Sequence, residues 1–186
     1  MRICLIRHGA TRGNLERRYI GATDEGLCDE GRRALASREW PEVDLVATSP
    51  MTRCLETAQV IYPIHKPLIV PDFRECDFGA LEGRSAEELS DDPAYQVWID
   101  SGGELGFPGG EDPADFRART VKAFDGLMRQ VDVNSIAIIA HGGTFMAILA
   151  RYGVPHRAYF DWHIPNGGLL ACDWDGSAMR ILAEGR

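Results

Sequence analysis

Two histidines each follow an apolar, strand-like run, and each precedes a glycine. His8-Gly9 comes after residues 3–6, and His141-Gly142 follows residues 136–140. Short apolar runs rich in β-branched residues are typical of buried strands. Ligands bind beyond the carboxyl ends of parallel strands, where helix N-termini also offer free N–H groups to anions. The sequence therefore predicts that both imidazoles lie at one anion-binding edge of a sheet.

Phosphoryl transfer is the chemistry that these residues and their neighbours fit. A histidine nucleophile needs an unprotonated ring nitrogen, donors for the phosphoryl oxygens and an acid for the leaving oxygen. Arg7 and Arg53 are candidate donors, because a guanidinium is always charged and can donate two parallel hydrogen bonds. Glu75 is the candidate acid, since a neighbouring phosphate dianion raises the pKa of a carboxyl group. Asp77 and Glu82 are nearby alternatives.

Four segments, in chain order, carry a resemblance to a known family. They are Arg7-His8-Gly9, Ser49-Pro50-x-x-Arg53, Arg74-Glu75-x-x-Phe78-Gly79-x-x-Glu82-Gly83 and His141-Gly142. On these residues the chain resembles the histidine phosphatase superfamily, also called the phosphoglycerate mutase-like superfamily. The resemblance spans nearly the whole chain. It implies a small phosphomonoester as partner and a phosphohistidine intermediate, with no cofactor.

The resemblance also implies a role for each candidate residue. His8 is expected to be the nucleophile, Glu75 the general acid and base, and His141 a second imidazole that donates to a nonbridging phosphoryl oxygen. The residues expected to bind the substrate's phosphate are Arg7, Gly9, Asn14, Arg53 and Gly142. No metal site is expected, because arginines and histidines supply the counter-charge. Asn14 is almost equally well explained as a turn residue, and Glu82 is expected to be structural.

Three functions fit these residues. The leading one is hydrolysis of a phosphomonoester. The second is phosphoglycerate mutase activity. It is disfavoured because mutases of the family are typically longer, and because residues 101–110, with five glycines, are not expected to form a rigid lid over the site. The third is a non-catalytic phosphate-binding module, which predicts loss of the nucleophile or the acid. The short chain and Pro108-Gly109-Gly110-Glu111 further resemble α-ribazole phosphatases, but broad-specificity sugar-phosphate phosphatases share both features.

Composition indicates one domain over residues 1–186. Hydrophobic residues make up 45% and charged residues 26%, which are ordinary globular values. No apolar run approaches the roughly 20 residues that span a bilayer, and the net charge of −8 argues against a nucleic-acid surface. Five scattered cysteines without a C-x-x-C pair favour reduced thiols in the cytoplasm. The oligomeric state stays open.

Hydrophobic periodicity predicts strands that alternate with helices. The expected strands are residues 3–6, 43–48, 67–70, 136–140, and a terminal hairpin of 168–174 with 179–183. The expected helices are residues 30–40 with Asp29 as N-cap, 49–62 starting at Ser49-Pro50, one starting at Asp92-Pro93, one from Asp112-Pro113 to about 131, and 142–152 ending at a left-handed Gly153. Residues 101–110 are expected to be irregular and mobile. The predicted fold is a three-layer α/β sandwich with a central, mostly parallel mixed sheet flanked by helices on both faces.

Overall fold

The computed structural model describes residues 1–185, which form one seven-stranded mixed sheet with helices on both faces. The strands are β1 Arg2–Arg7, β2 Leu45–Thr48, β3 Leu68–Ile69, β4 Ser135–Ala140, β5 Gly153–Val154, β6 Leu169–Trp174 and β7 Met179–Gly185. The helices are α1 Arg12–Leu15, α2 Asp29–Ala36, α3 Thr52–Ile61, α4 Pro93–Asp100, α5 Pro113–Gln130 and α6 Gly142–Tyr152. Short 3₁₀ helices occupy Pro71–Phe73, Gly79–Leu81 and Tyr159–Asp161.

The strand order is β3-β2-β4-β1-β6-β7-β5. Strands β1 to β4 pair in parallel, β6 pairs antiparallel with both β1 and β7, and β5 pairs in parallel with β7. Among the described strands only β6 therefore runs against the others, and the predicted mostly parallel mixed sheet is confirmed. The terminal hairpin lies inside the sheet rather than at its edge, because β5 adds one more strand outside it.

Side chains of the central strands alternate between two apolar layers, as the two-residue strand period requires. Ile3 and Leu5 of β1 join a core cluster with Phe124 of α5 and Phe145 of α6. Cys4 and Ile6 face the other way, into a cluster with Cys54 and Ala58 of α3. Because both faces of β1 and β4 are covered, their sequences are continuously apolar instead of alternating. Replacing the fully buried Phe124 by alanine is expected to cost about 3–5 kcal/mol.

Two helix starts differ from the sequence prediction. The N-cap of α2 is Cys28, whose Sγ accepts from the Gly31 N–H at 3.3 Å, and the helix ends at Ala36 rather than at 40. Helix α3 begins at Thr52 after Met51. Ser49 is not its cap, because it lies three residues before the first helical residue. Its hydroxyl is 2.8 Å from His141 Nε2 and also accepts from the Met51 amide at 3.4 Å.

The conformation of Gly153 also differs from the sequence prediction. It has a φ of −67° and a ψ of 135°, so it is extended rather than left-handed, and it begins β5. A Cβ at this position would lie 2.5 Å from Trp162 Cζ2 and 2.6 Å from the Leu149 carbonyl oxygen. Close approach of the Trp162 ring, and not backbone conformation, requires glycine here.

The glycine-rich stretch 101–110 packs against the rest of the chain. Phe107 is 8% exposed and its ring lies 5.1 Å from that of Trp98. The Gly110 amide donates to the Phe107 carbonyl, and the Glu111 amide donates to the Asp77 carbonyl. The stretch is irregular, as predicted, but it contributes buried side chains to an aromatic cluster. Within residues 1–185, no helix combines the length and apolarity needed to cross a membrane.

Candidate active site

His8 immediately follows β1, at the carboxyl edge that the parallel strands share. Its amide donates to Ala140 O of the neighbouring strand, and its side chain is 3% exposed. Its Nδ1 lies 2.7 Å from the Gly9 carbonyl oxygen. Since a carbonyl oxygen only accepts, Nδ1 carries the proton and Nε2 keeps a free lone pair. Burial, followed by the charges of Arg53 and Arg7, holds the pKa of His8 well below its usual value. The imidazole is therefore neutral and nucleophilic at Nε2.

Gly9 packs closely against helix α2. A Cβ here would lie 2.7 Å from Leu35 Cδ1, so the absent side chain makes room for helix packing. Its amide donates to Thr57 Oγ1 at 3.0 Å. The predicted phosphate contact of Gly9 stays a prediction.

His141 follows β4, and its ring lies beside that of His8, with centroids 5.2 Å apart. The predicted convergence of the two imidazoles is confirmed. Arg53 Nε donates to His141 Nδ1 at 3.2 Å, so the ring proton is on Nε2, which donates to Ser49 Oγ at 2.8 Å. Burial, then Arg53, holds the pKa of His141 well below its usual value. His141 is thus a neutral donor whose proton faces Ser49 in this structure.

Arg53 is completely buried. Besides the bond to His141, its Nη1 donates to the Thr23 carbonyl and its Nη2 to the Gly21 carbonyl, each at 2.8 Å. Arg53 and Thr57 lie on the buried face of α3, as their four-residue spacing predicts. Neither Arg53 nor His8 is among the residues that line the adjacent cavity. The predicted clamp of two arginines on a ligand stays a prediction; in this structure the Arg53 guanidinium is bonded to His141 and to two loop carbonyls.

Arg7, the other predicted clamp residue, does border the cavity. Its Nη1 donates to the Ile164 carbonyl at 2.9 Å, while its buried Nε has no partner within residues 1–185. Gly142 allows this placement, because a Cβ there would lie 3.3 Å from Arg7 Cζ. An unpartnered buried guanidinium N–H is costly unless a ligand completes it. Arg7 therefore points to an anion at this position.

Glu75 also borders the cavity, close to the start of α6. Its Oε1 accepts from the Cys76 amide and its Oε2 from the Gly143 amide, both at 3.0 Å. A Cβ on Gly143 would lie 2.4 Å from Glu75 Oε1, so the second glycine of the Gly-Gly pair is required by this contact. Burial raises the pKa of Glu75 despite the two amide donors and the nearby arginines. Its carboxyl can therefore hold a proton for transfer.

The two alternative acids have structural partners. Glu82 accepts from the amides of Gly21, Ala22 and Thr23 and thereby anchors that loop. Asp77 accepts from the Gly79 amide at 2.8 Å. Neither carboxylate lines the cavity that Glu75 and Arg7 share. These contacts agree with the expectation that Glu82 is structural.

Asn14 is both a turn residue and a cavity residue. Its Oδ1 accepts from the Thr11 amide at 3.2 Å and from Asn166 Nδ2 at 3.0 Å. Because both partners are donors, the orientation of the amide is determined, and Asn14 Nδ2 is left as the donor. Asn166 also donates to the His8 carbonyl at 3.3 Å. Sequence reasoning missed Asn166, which lies in a loop without any motif.

The cavity beside these residues has a volume of about 300 Å³. Arg7, Asn14, Glu75 and Gly142 form its polar end. Seven aromatic side chains form most of the remaining wall, and sequence reasoning missed this wall as well. The run Tyr159-Phe160-Asp161-Trp162-His163 is the one local signal that could have indicated part of it.

The polar end has the parts that phosphoryl transfer needs. It offers a guanidinium at Arg7, an amide donor at Asn14 and a carboxyl with a raised pKa at Glu75, and the unprotonated nitrogen belongs to His8, which follows Arg7 directly. Among residues 1–185, no three His, Cys, Asp or Glu side chains are grouped as metal ligands. The positive charge at this end comes from arginine and from the N-terminus of α6.

Comparisons with known proteins point to one family. The family model described as histidine phosphatase superfamily (branch 1) matches residues 3–185. The uncharacterised phosphatase PhoE of Bacillus subtilis (strain 168) is 30% identical over 157 residues, which cover 80% of this chain and 76% of PhoE. The adenosylcobalamin/α-ribazole phosphatase of Escherichia coli (strain K12) is 26% identical over 193 residues, covering 98% of this chain and 95% of that protein.

A solved structure with the same fold is named as a mutase and not as a phosphatase. The crystal structure of phosphoglycerate mutase from Thermus thermophilus superposes with a TM-score of 0.78 at 29% identity, covering 100% of this chain and 99% of that one. Proteins named as phosphatases and a protein named as a mutase are therefore both similar to this chain.

Proposed function

The chain belongs to the histidine phosphatase superfamily, and from this premise we propose that it is a metal-independent phosphomonoesterase acting on a small phosphorylated metabolite. The whole of residues 1–186 acts as one catalytic domain. The observation that carries the proposal is the contact of His8 Nδ1 with the Gly9 carbonyl oxygen, which assigns the ring proton to Nδ1 and leaves Nε2 unprotonated, next in the chain to the cavity residue Arg7.

In the first step, His8 Nε2 attacks phosphorus while the bond from phosphorus to the ester oxygen breaks. Glu75 gives its proton to the departing oxygen, so the alcohol leaves neutral. Arg7 donates to the nonbridging oxygens, and Asn14 Nδ2 adds a further donor. The product of this step is a phosphohistidine on His8 and an ionised Glu75.

In the second step, water attacks the phosphohistidine. Glu75 takes a proton from that water, the bond from phosphorus to Nε2 breaks, and inorganic phosphate leaves. The same carboxyl group thus serves as acid and then as base. A raised pKa suits this alternation, because it helps the carboxyl group to hold the proton that the first step needs.

Arg53 and His141 assist the phosphoryl transfer to His8. The charge of Arg53 helps to keep His8 unprotonated before substrate arrives. His141 carries its proton on Nε2, which donates to Ser49 in the free protein. When the phosphoryl group is bound, His141 Nε2–H donates to a phosphoryl oxygen instead of to the Ser49 hydroxyl. This hydrogen bond stabilises the developing charge.

The finer candidate substrate is α-ribazole 5′-phosphate, supported by the similarity to the Escherichia coli phosphatase. The competing reaction is that of a mutase, which returns the phosphoryl group to a second hydroxyl instead of to water. A non-catalytic binding module is disfavoured, because the sequence keeps both the proposed nucleophile His8 and the proposed acid Glu75.

A metabolite screen tests the proposal. Purified protein should release inorganic phosphate from at least one of a panel of monophosphates that includes α-ribazole 5′-phosphate and both phosphoglycerates. EDTA should leave the rate unchanged, because arginines provide the counter-charge. Interconversion of 2- and 3-phosphoglycerate faster than phosphate release would contradict hydrolysis. A strict requirement for magnesium would contradict the metal-independent mechanism.

A further inference from the structure

The part of the cavity away from His8 is an aromatic wall. Four rings on one side contact each other: Phe78 lies 5.8 Å from Tyr19 and 4.9 Å from Phe107, and Trp98 lies 5.1 Å from Phe107. Phe160 stands on the other side, 55% exposed. An exposed aromatic ring at the mouth of an apolar cavity is typical of a binding surface.

The two sides meet at Gly103. A Cβ on Gly103 would lie 3.0 Å from Phe160 Cζ and 3.6 Å from Trp98 Cζ2. Gly103 has a φ of +78°, so glycine suits both its conformation and this close approach. The glycine-rich stretch 101–110 therefore has a purpose at this site, because it brings Trp98 and Phe160 to one rim of the cavity.

The hydroxyls of the wall are already bonded within the protein, whereas the buried Trp98 Nε1–H has no partner within residues 1–185. The hydroxyls of Tyr19 and Tyr95 are 2.8 Å apart, and the Tyr159 hydroxyl donates to the Gly143 carbonyl at 3.3 Å. Ring faces and edges are what this wall offers to a ligand. Leaving groups that carry hydroxyls but no ring system, such as simple polyols, would lose water here and gain few partners.

The arginines that border the cavity beyond Arg7 are neutralised. Arg18 forms ion pairs with Glu16 and Glu88, each at 2.8 Å. Arg117 pairs with Glu104 at 2.8 Å. A carboxylate or second phosphate on the leaving group would have to displace one of these pairs. The wall thus disfavours small acidic leaving groups.

We propose that the leaving group of the substrate carries a planar aromatic ring, which binds against the wall of Tyr19, Trp98, Phe107 and Phe160 while the phosphate meets Arg7. This inference rests on the proposed phosphomonoesterase function and specifies its substrate class. A cavity of about 300 Å³ is at the small end of the range for organic ligands, which matches a phosphate plus one ring system. Ring contacts of this kind are expected to favour aromatic substrates by about tenfold or more.

Substrates with matched chemistry isolate the contribution of the ring. Ethyl phosphate and 2-phenylethyl phosphate both release a primary alcohol, so the intrinsic difficulty of the P–O cleavage is nearly equal. We expect kcat/KM to be about tenfold or more higher for 2-phenylethyl phosphate. 3-Phosphoglycerate, which has a small acidic leaving group, is expected to be the poorest of the three.

Phe160→Ala tests the wall directly, because the exposed ring can be removed without opening the core. This variant should lower the ratio of kcat/KM between 2-phenylethyl and ethyl phosphate by about threefold or more. Ile64→Ala is the matched control, since Ile64 is a 93% exposed apolar residue that does not line the cavity. It should leave the ratio unchanged.

Binding of unreactive analogues separates this inference from the proposed function. Calorimetry should show tighter binding of 3-phenylpropylphosphonate than of propylphosphonate, with the difference reduced by Phe160→Ala. Tighter binding of 3-phenylpropylphosphonate without hydrolysis of any phosphate ester would support the aromatic site and overturn the proposed phosphomonoesterase activity. Hydrolysis of both esters with equal kcat/KM, or equal binding of the two phosphonates, would overturn the aromatic site and leave the phosphomonoesterase standing.

Discussion

The two ends of the active-site cavity are built in opposite ways. Around His8, polar side chains are buried and hydrogen-bonded: Arg53 to His141, His141 to Ser49, and Thr57 to the backbone amide of Gly9. The far end consists of aromatic rings such as Trp98 and Phe160, whose contacts with each other are mostly apolar. The first end determines protonation states, and the second presents shape and ring surface.

This difference separates the reaction from the choice of substrate. Buried hydrogen bonds tolerate little change, because removing one partner leaves the other unsatisfied. Ring surfaces that line an open cavity can vary with modest cost to folding. Substitutions at the His8 end should therefore affect every substrate, and substitutions at the aromatic end should change only which substrates are preferred.

The largest contrast is expected from Glu75→Gln. Glutamine cannot give a proton to the leaving oxygen, so cleavage of alkyl esters should slow by about 10²–10⁴-fold. p-Nitrophenyl phosphate releases a stable anion and should lose far less. Steady-state kcat/KM for ethyl phosphate and p-nitrophenyl phosphate gives the comparison. Equal losses on both esters would remove the acid role from Glu75.

Ser49→Ala and Phe160→Ala compare the stability of the two ends. The first leaves the buried Nε2–H of His141 without its acceptor and should lower the free energy of unfolding by about 1–3 kcal/mol. The second removes a 55% exposed ring and should change it by about 0.5 kcal/mol or less. Urea titrations of both variants measure the difference. A larger loss for Phe160→Ala would reverse the comparison.

Asn166→Ala tests whether the polar end extends beyond the residues that touch substrate. Asn166 positions Asn14, so its loss should weaken the hydrogen bond from Asn14 to the charged phosphate of the substrate. One such bond corresponds to an increase of about tenfold in KM, with little change in kcat. Asn134→Ala is the control, because Asn134 lies just before β4, at the opposite end of that strand from His141. If the two variants have the same KM, Asn166 has no positioning role.

The smallest effect concerns pH and stability. His8 and His141 have pKa values well below the usual one, mainly through burial. The unfolded chain binds protons at these residues near pH 6.5, while the folded chain does not, so their contribution to stability is lost as pH falls below about 6.5. Urea midpoints should therefore decrease less between neutral and mildly acidic pH in His141→Gln than in the wild type.

Two features make that pH comparison specific. Glu75 acts in the opposite sense, because burial raises its pKa, but it is present in both proteins and cancels. His156→Gln, at an exposed position, is the control and should behave as the wild type. An equal decrease in His141→Gln and the wild type would mean that the buried imidazole does not resist protonation.

Sequence reasoning succeeds where a single local pattern decides the structure. The apolar runs of β1 and β4 predict both histidines at one sheet edge, because parallel strands buried on both faces need continuous apolar residues. It fails where the partner comes from elsewhere in the chain. Ser49 is a residue type that suits the N-cap of α3, but its hydroxyl is hydrogen-bonded to the distant His141. The bonds of Arg53 to the carbonyls of Gly21 and Thr23 also come from a distant segment and carry no local signal.

The aromatic wall could not be predicted for a related reason. Its rings come from segments near residues 19, 78, 98–107 and 159–160, and each segment alone has an ordinary explanation. Tyr95 and Trp98, for example, fit the apolar face of a helix. Only the three-dimensional arrangement shows that these rings surround one cavity.

The central claim is that His8 becomes phosphorylated, and rapid acid-free quenching of the enzyme with ³²P-labelled 2-phenylethyl phosphate tests it most directly. We expect alkali-stable, acid-labile label on the peptide that contains His8, approaching one phosphoryl group per chain, and none in His8→Ala. Label on any other residue, or turnover by His8→Ala at more than about 10⁻³ of the wild-type rate, would contradict the account.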